Sequence, residues 1–285
     1  MIEQKFIEIS NFFFVDADYQ AAFRQAGLTS VDAIFSFSDG KDLTKNNLPD
    51  HRSRLEFTID NPKTTLFLKR YNKPPKPAQI KNWIAAGRRI SVGFLDYNAA
   101  DNLAKAGINV PKIVSYGQKL GKFFEEKSFC ITEKIQMAES LETKLPGFFY
   151  AEQNSKNLKL KTDFLYKLAC FIKKFHATGY RHRDLYLCHI FNDGQYQFYL
   201  IDLTRVFKPV IFSKRYLVKD IAQLYYSAPA KFFSRTDRLR FYLKYSDKPR
   251  LTAGDKMFIR KVKNKVTAIA RHDEKHGRKA PCAGR

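Results

Sequence analysis

A short predicted β-hairpin constrains the fold of this chain more than any other stretch. Residues 188–191 and 197–201 are apolar and aromatic, and Asp193-Gly194 between them is a strong turn signal. Asp184 precedes the first predicted strand and Asp202 follows the second. Because antiparallel strands bring their outer ends together, the pairing predicts that these two carboxylates lie close in space.

Two carboxylates in one cleft suit Mg²⁺-dependent phosphoryl transfer. One carboxylate holds the metal on the nucleotide phosphates, and the other accepts or orients the proton of the attacking hydroxyl. His182-Arg183-Asp184 before the first strand and Asp202-Leu203-Thr204 after the second follow the order of a kinase catalytic loop and its metal-binding segment. The sequence therefore predicts phosphoryl transfer here. The alternative is a solvated acid and a turn-flanking acid on an ordinary hairpin.

Length and charge bound the class of protein. A chain of 285 residues is long enough for one large domain or for two lobes that share a cleft. The formal net charge of +23 predicts attraction to phosphate-rich partners, namely nucleic acid, an anionic membrane surface or a phosphorylated glycolipid. Charge alone does not choose among these partners.

The cysteines and the apolar runs indicate a cytoplasmic protein. The four cysteines form no C-x-x-C pair, which argues against a zinc site and a disulfide framework and favours a reducing compartment. The N-terminus lacks the basic start and apolar run of a signal peptide. No apolar run approaches the roughly 20 residues of a membrane-spanning helix. Any membrane association is therefore expected to be peripheral.

A phosphate-binding strand is predicted upstream of the hairpin. Residues 64–71 have the composition of a strand that leads into a basic pair, and Lys69 fits best the place of a kinase lysine that clamps the nucleotide phosphates. No G-x-G-x-x-G precedes this strand. Arg52 and Arg54, on a candidate hairpin at residues 51–57, are therefore candidates to face phosphates instead. Two solvated arginines explain the pattern equally well.

The residues that follow predict a helix with a partner for Lys69. The proline-rich residues 73–77 predict a stiff connector that is not helical, and a helical region follows until about Gly107. Within it, Asp96 or Asp101 could pair with Lys69. A plain solvated helix acid is the alternative for either residue.

A hinge between lobes is predicted next. Strands at residues 110–117 and 128–133 lead into residues 134–141, where backbone groups from about Glu133 to Ile135 are candidates for pairing with an adenine edge. The polar residues 142–161 indicate a surface insertion or loop.

Helices dominate the second half of the chain. Helical periodicity predicts helices at residues 162–176 and 215–224. In the second, Asp220 could brace the catalytic loop from below, or it could be a simple acid of the first helical turn. The basic residues from 256 onward predict an amphipathic helix that lies on an anionic membrane or, as we favour, packs its apolar stripe on its own domain.

Residues 182–191, His-Arg-Asp-Leu-Tyr-Leu-Cys-His-Ile-Phe, resemble the catalytic loop of the bacterial lipopolysaccharide kinases, the WaaP-type core heptose kinases. The Tyr-x-Cys-His portion is distinctive of that family, whereas protein kinases and the related Kdo kinases usually have Asn where His189 stands. The resemblance extends from about residue 50 to residue 245. Further matching segments are residues 67–71, 96–103, 200–202, 219–224 and 235–240.

The resemblance implies an α+β, two-lobed protein-kinase-like fold. A small β-rich N-terminal lobe would comprise residues 1–135, and a larger, mainly helical C-terminal lobe residues 136–285. It also implies ATP as the donor, Mg²⁺ as the metal, and a sugar hydroxyl of the lipopolysaccharide inner core, expected to be on heptose, as the acceptor.

The resemblance further implies a role for each matching residue. Asp184 would be the catalytic base, Asp202 the Mg²⁺ ligand and Lys69 the clamp on the phosphates. Asp96 would take the place of the helix glutamate that positions this lysine. His189 occupies the second metal-ligand position. Imidazole is a poorer partner for Mg²⁺ than oxygen, so His189 either ligates the metal or hydrogen-bonds the loop.

The catalytic loop also bears on the acceptor. Between Asp184 and His189 there is no Lys or Arg of the kind that protein kinases use to meet the transferring phosphate. This favours a sugar or small-molecule hydroxyl over a protein acceptor, and the surplus positive charge agrees with a phosphorylated glycolipid. Because that acceptor is modified before export, we expect a cytoplasmic protein, peripheral on the inner face of the bacterial inner membrane.

Other classes of function stay open. They are a kinase of proteins or small molecules, a Kdo kinase, a pseudokinase scaffold and a basic protein that binds nucleic acid. No zinc-finger spacing or RNA-binding aromatic signature occurs, so no nucleic-acid partner is expected. The sequence does not indicate a protein partner.

Overall fold

The computed structural model describes residues 5–44, 48–149, 155–195 and 197–277. The chain divides into two units. The first consists of Met1–Lys105 and Val110–Ile135, and the second of Ala106–Asn109 and Gln136–Arg285.

The first unit is built on an antiparallel sheet of seven strands. They lie in the order β1-β2-β6-β7-β5-β4-β3. The strands are β1 (Phe6–Ser10), β2 (Phe13–Asp16), β3 (Lys41–Asp42), β4 (Arg52–Ile59), β5 (Thr64–Asn72), β6 (Ile113–Leu120) and β7 (Glu125–Glu133). The strands predicted from residues 64, 110 and 128 onward are therefore confirmed as β5, β6 and β7. The prediction of a hairpin at residues 51–57 was wrong, because residues 52–57 lie in the single strand β4.

Strands β4 and β5 show how the sequence places its residues on the two faces of this sheet. Leu55 and Phe57 alternate with polar residues and are buried, and they pair with Leu68 and Leu66 of β5. Successive side chains of a strand point to opposite faces. Arg54, which pairs with Lys69 in the same register, therefore shares with it the face opposite to this core.

Among the described residues of the first unit, four α-helices accompany the sheet. They are α1 (Gln20–Gln25), α2 (Val31–Ser36), α3 (Lys76–Ala86) and α4 (Val92–Lys105). The prediction of a non-helical connector followed by one helical region was wrong. Helix α3 begins inside the proline-rich segment, because a proline in the first turn loses no intrahelical hydrogen bond. It ends at Gly87, whose φ of 66° takes the left-handed conformation that terminates helices.

The second unit is mainly helical. Its helices are α5 (Leu141–Phe149), α6 (Ser155–Ala177), α7 (Ser213–Ser227), α8 (Arg235–Ser246) and α9 (Ala253–Lys275). The prediction of a loop over residues 142–161 was wrong in its described part. Leu141 and Leu145 are buried one helical turn apart, so α5 is anchored although the three residues between them are polar.

A small sheet in the second unit contains the predicted hairpin. It consists of β8 (Glu139–Ser140), β9 (Ile190–Asn192) and β10 (Phe198–Leu200), in the order β10-β9-β8. Strands β9 and β10 pair antiparallel, with Ile190 opposite Leu200, which confirms the hairpin. The carboxylate of Asp193 accepts the amides of Gln195 and Gln197 and thereby closes the turn.

The basic helix α9 packs on its own unit. It lies against α7, with Val262 of its apolar stripe buried, and Tyr226 of α7 donates to Asp273 at 3.0 Å. The favoured alternative, packing rather than lying on a membrane, is therefore confirmed for this stripe. The residues of the tail after 277 lie outside the described part of the chain. None of the described helices combines the length and apolar composition that a bilayer span requires.

Candidate active site

The loop that carries Asp184 is held by a carboxylate beneath it. The amides of His182 and Arg183 each donate to one oxygen of Asp220, both at 2.8 Å. Asp220 lies in the middle of α7 and is fully buried, so it is not an acid of the first helical turn. The prediction that Asp220 braces this loop is confirmed. A carboxylate that accepts two buried amides fixes the backbone immediately before Asp184.

Two further polar residues of α7 continue this support, and the sequence reasoning missed both. The amide of Leu185 donates to Gln223 at 3.2 Å, and that of Leu187 donates to Ser227 at 3.0 Å. Gln223 also approaches the Asp184 carboxylate, at 3.5 Å. Together with Asp220 these residues occupy positions i, i+3 and i+7 of one helix face. Polar residues at this spacing among buried apolar neighbours were the signal that could have identified them.

His182 joins the loop to the segment that carries Asp202. Its Nε2 lies 3.0 Å from the carbonyl oxygen of Ile201, which can only accept, so Nε2 carries the proton of this hydrogen bond. His182 is fully buried, and its burial lowers the pKa of the imidazole, an effect to which the nearby His189 adds. A neutral His182 therefore connects the two ends of the hairpin.

His189 contacts both acidic residues. Its Nδ1 lies 2.7 Å from the carbonyl oxygen of Asp184, and its Nε2 lies 3.8 Å from a carboxylate oxygen of Asp202. Because a carbonyl oxygen only accepts, Nδ1 must carry a proton. In the neutral ring, Nε2 then presents its lone pair on the side of Asp202. The imidazole thus makes the loop hydrogen bond and leaves a nitrogen that could bind a metal, so the two predicted alternatives are compatible.

Strained backbone lies next to both acids. Arg183 and Asp202 have φ values of 68° and 56°, in the left-handed region that residues with a side chain seldom adopt. Arg183 is held there by the hydrogen bond from its backbone amide to Asp220. The Asp202 carboxylate accepts a hydrogen bond from the hydroxyl of Thr204 at 3.0 Å. Such conformations cost of order 1–3 kcal/mol each and are concentrated at functional sites.

Arg205 is the nearest cation to Asp184, and the sequence reasoning missed it as well. Its Nη1 lies 2.9 Å from one carboxylate oxygen of Asp184 and 2.7 Å from the other. Arg205 is supplied by the segment that follows Asp202, not by the catalytic loop. The signal was the lack of a basic residue between Asp184 and His189 together with a basic residue shortly after Asp202.

Two more cations, Lys219 and Arg183, interact electrostatically with this carboxylate. Burial lowers the pKa of Lys219, with the neighbouring Arg205 adding to the effect and the attraction of Asp184 opposing it. Burial lowers the pKa of Arg183 too, and Arg205 again adds to the effect. Three positive side chains around one carboxylate make this a place where further negative charge is stabilised.

In the first unit the structure brings together Lys69 and Asp96. The Lys69 Nζ on β5 lies 2.8 Å from the Asp96 carboxylate on α4, and Tyr71 donates to the same oxygen at 3.5 Å. The rival acid, Asp101, pairs instead with Lys105 one turn further along α4, at 2.8 Å. The Asp96 carboxylate is only 4% exposed. A buried carboxylate of this kind fixes the position of its lysine partner.

The start of α4 is fixed to β7 by Glu125. One carboxylate oxygen accepts the Val92 amide at 2.9 Å, and the other accepts the Ser128 hydroxyl at 2.5 Å. Burial raises the pKa of Glu125 to about 7, against the opposing effect of these hydrogen bonds. A side chain at Gly93 would place its Cβ 2.6 Å from the Phe129 carbonyl oxygen, so only glycine permits this approach of α4 to β7.

The end of β7 carries the residues predicted to meet an adenine. The amides of Glu133 and Lys134 donate to the carbonyls of Lys112 and Thr65, both at 2.9 Å. The Glu133 carboxylate accepts the Tyr19 hydroxyl at 2.5 Å. The Glu133 amide is therefore engaged within the sheet, and among the predicted residues the Ile135 amide is the better candidate donor to a base.

The side chains near the hairpin fit a nucleotide-bound metal rather than a metal cage made by protein alone. Among the residues that the structure describes, no group of three or more His, Cys, Asp and Glu side chains converges on one point. Mg²⁺ in kinases is usually held by one or two carboxylates and by substrate phosphates. The carboxylate of Asp202, with Nε2 of His189 beside it, meets this requirement.

Known proteins resemble this chain in sequence. Residues 91–245, more than half of the chain, match the model of the lipopolysaccharide kinase (Kdo/WaaP) family. The lipopolysaccharide core heptose(I) kinase WaaP of Escherichia coli K12 is 23% identical over 221 residues, which cover 75% of this chain and 82% of that protein. The protein of the same name from Pseudomonas aeruginosa PAO1 is 27% identical over 176 residues, covering 59% and 65%. These matches confirm the family that the catalytic loop indicated.

A solved structure shares the fold. The structure described as WaaP in complex with acyl carrier protein matches with a TM-score of 0.65 and 21% identity, covering 92% of this chain and 98% of that chain. This match confirms the predicted α+β, protein-kinase-like fold.

Proposed function

The chain belongs to the lipopolysaccharide kinase (Kdo/WaaP) family, and we propose that it transfers the γ-phosphoryl group of ATP to a heptose hydroxyl of the lipopolysaccharide inner core. Both relatives described above are named as heptose(I) kinases, which are phosphotransferases acting on a sugar hydroxyl. The observation that carries the proposal is the His189 ring, which contacts Asp184 through one nitrogen and lies beside Asp202 through the other.

Asp184 is the proposed catalytic base. It would orient the sugar hydroxyl and accept its proton as the oxygen attacks phosphorus. The Asp220 and Gln223 side chains hold the backbone on either side of it, so the loop that carries the carboxylate is fixed before substrate binds. This preorganisation removes part of the entropic cost of aligning the attacking oxygen.

Arg205 is the proposed contact to the transferring phosphate. A guanidinium has five N–H donors, so Arg205 can bind a phosphate oxygen in addition to Asp184. It would supply the positive charge that protein kinases supply from a Lys or Arg in the catalytic loop. Arg205 contacts the proposed base but lies outside the catalytic loop. The catalytic loop itself is therefore left without a basic side chain, as expected for a sugar acceptor.

Asp202 and His189 are the proposed metal ligands. A bound Mg²⁺ would neutralise charge on the β- and γ-phosphates. The Asp202 carboxylate would hold it, and the Nε2 lone pair of His189 would be the second protein ligand. The hydrogen bond of Thr204 to Asp202 and that of His189 to the Asp184 carbonyl orient these two groups.

In the first unit, Lys69 is the proposed clamp on the nucleotide phosphates. Asp96 positions it through their 2.8 Å ion pair. Arg54 shares the face of Lys69 on the neighbouring strand, so it is a second candidate phosphate ligand in a chain without a glycine-rich phosphate loop. Backbone groups at Ile135, together with the carbonyl of Glu133, are the proposed contacts to adenine.

We further propose that the chain binds an acyl carrier protein. The solved structure with the same fold is described as WaaP in complex with such a protein. In the second unit of this chain, helices α6 to α9 line an open pocket of about 540 Å³ whose lining is mostly apolar, with Arg235, Arg238 and Lys263 among its lining residues. A pocket of this size and polarity suits an acyl chain. We expect this chain to bind an acylated carrier protein more tightly than an unacylated one. Leu168→Lys, at a residue that lines the pocket, should reduce this difference in affinity.

The phosphotransfer proposal is tested with purified protein, ATP labelled in the γ-phosphate, Mg²⁺ and lipopolysaccharide isolated from cells that lack this protein. We expect label on the inner-core heptose, identified by mass spectrometry of the released core, and none with Asp184→Asn. Label on Kdo would identify a Kdo kinase. Label on a generic protein substrate, with none on lipopolysaccharide, would overturn the proposal.

A further inference from the structure

Three consecutive apolar side chains are exposed between the hairpin and α7. Val210, Ile211 and Phe212 expose 97%, 67% and 67% of their surface. Single exposed apolar residues are common, but an exposed run of three carries a cost in water and is expected only where a function requires it. The run therefore indicates a surface that another molecule covers.

Positive charge flanks this run on both sides. Lys208 precedes it, Lys214 and Arg215 follow it, and all three are exposed. Lys214 and Arg215 lie in the first turn of α7, which has no acidic residue there and no side-chain cap. The helix dipole disfavours cations at this end, so the arrangement breaks a local rule of helix stability. An anionic partner would reverse that penalty.

Both ends of the exposed run are attached to the residue that immediately precedes the catalytic loop. Arg181 exchanges two backbone hydrogen bonds with Phe207, at 2.9 and 3.1 Å, and its guanidinium donates to the Ser213 hydroxyl at 2.9 Å. Phe212 is held at a φ of 57°, a conformation that an aromatic residue adopts only under constraint. The run is therefore fixed in position relative to Asp184, three residues beyond Arg181.

We infer that residues 208–215 form a membrane-docking loop, which inserts Val210, Ile211 and Phe212 among the acyl chains of an anionic bilayer while Lys208, Lys214 and Arg215 contact lipid phosphates. A bilayer suits this surface because it presents an apolar layer bordered by anionic headgroups, and the loop presents an apolar tip bordered by cations. The inference deepens the proposed function and rests on it for one point only, namely that the acceptor is a glycolipid in that bilayer. The docked loop would hold the catalytic base at the membrane surface.

The test measures flotation of the full chain with vesicles and needs no catalytic activity. We expect wild-type protein to float with phosphatidylcholine vesicles that contain 30% phosphatidylglycerol and to float poorly with pure phosphatidylcholine. The variant Val210→Ser/Ile211→Ser/Phe212→Ser should bind at least about tenfold more weakly. The variant Lys208→Gln/Lys214→Gln/Arg215→Gln should lose the dependence on the anionic lipid. Met137→Ser, at a residue 89% exposed in another segment, is the matched control and should float as wild type.

Activity separates this inference from the proposed function. On acceptor dispersed in detergent the triple-serine variant should keep wild-type turnover, whereas on acceptor embedded in vesicles its turnover should fall at least tenfold. Flotation of the triple-serine variant at the wild-type level would overturn the docking loop, and so would a wild-type dimer that this variant converts to a monomer. If wild-type protein floats through the loop but never labels lipopolysaccharide, the proposed function fails and the docking loop stands.

Discussion

The Arg205 guanidinium lies 2.7 Å from a carboxylate oxygen of Asp184, the residue that carries the proposed proton transfer. The two residues come from opposite ends of the hairpin and reach each other only because β9 and β10 pair. The same cation can move to the phosphate as negative charge develops there.

Removing this cation should slow the chemical step. We expect Arg205→Ala to lower kcat by about 100- to 1,000-fold, because one preorganised donor to the developing charge is lost. Arg205→Lys should recover only part of kcat, because lysine keeps the positive charge but lacks the planar fork of donors. The measurement is steady-state kinetics with lipopolysaccharide as acceptor. Arg240→Ala, at an exposed arginine on α8, should leave kcat unchanged, and an Arg205→Ala enzyme with wild-type kcat would exclude this role.

The two acids should have separable effects. Asp184→Asn should lower kcat by about 10³-fold or more while nucleotide binding persists, because only the proton acceptor is lost. Asp202→Asn should lower kcat and also weaken Mg²⁺-dependent nucleotide binding, measured by titration calorimetry. Asp163→Asn, at an exposed acid of α6, is the control. Near-normal turnover in both site variants would contradict the assignment of the hairpin as the active site.

His189 should influence which metal is preferred. Mn²⁺ accepts a nitrogen ligand more readily than Mg²⁺ does, whereas Mg²⁺ prefers oxygen. His189→Asn should therefore increase the activity with Mg²⁺ relative to the activity with Mn²⁺. His189→Ala removes the ligand and the hydrogen bond to the Asp184 carbonyl, and should raise the Mg²⁺ concentration for half-maximal activity by about 10-fold. Metal-dependence curves of the three proteins decide the matter. Identical curves would show that His189 serves only the loop.

Asp220 should be a determinant of stability. Asp220→Ala leaves two buried amides without an acceptor, so we expect the free energy of unfolding to fall by roughly 2–5 kcal/mol. The measurement is denaturation by urea. Asp220→Asn, which can accept one of the two amides, should be intermediate. Asp247→Asn, at an exposed acid paired with Lys173, should show no measurable change. A destabilisation of Asp220→Ala no larger than that control would refute the bracing role.

Glu125 should make stability depend on pH. Its pKa of about 7 in the folded protein exceeds the ordinary value of 4.5. Between these values the folded protein holds a proton that the unfolded chain has released, so stability decreases as pH rises from about 5 to about 7. The difference in the free energy of unfolding between Glu125→Gln and wild type should therefore shift in favour of the variant by about 2 kcal/mol from pH 5 to pH 8. Urea midpoints of both proteins at the two pH values test this, and a difference that does not change with pH would contradict it.

Local sequence patterns were sufficient for the hairpin and for the strand that carries Lys69. Alternating apolar residues and an Asp-Gly turn act between near neighbours in the chain, so they predict β9, β10 and β5 without knowledge of the rest of the fold. They were insufficient for the break between α3 and α4, because one glycine in a helical pattern does not by itself terminate a helix. Helix α5 was missed because three polar residues separate Leu141 from Leu145, so its apolar pattern is short.

The sequence by itself determined the family, the hairpin and the identities of Lys69, Asp96, Asp184, Asp202 and His189 as candidate site residues, because these depend on short motifs and on neighbours in the chain. Only the tertiary structure decided that Arg205 contacts Asp184 and that Gln223 and Ser227 hold the loop. These contacts join residues far apart in sequence. Their partners are selected by how helices pack and which buried amides need an acceptor, and no local pattern contains that information.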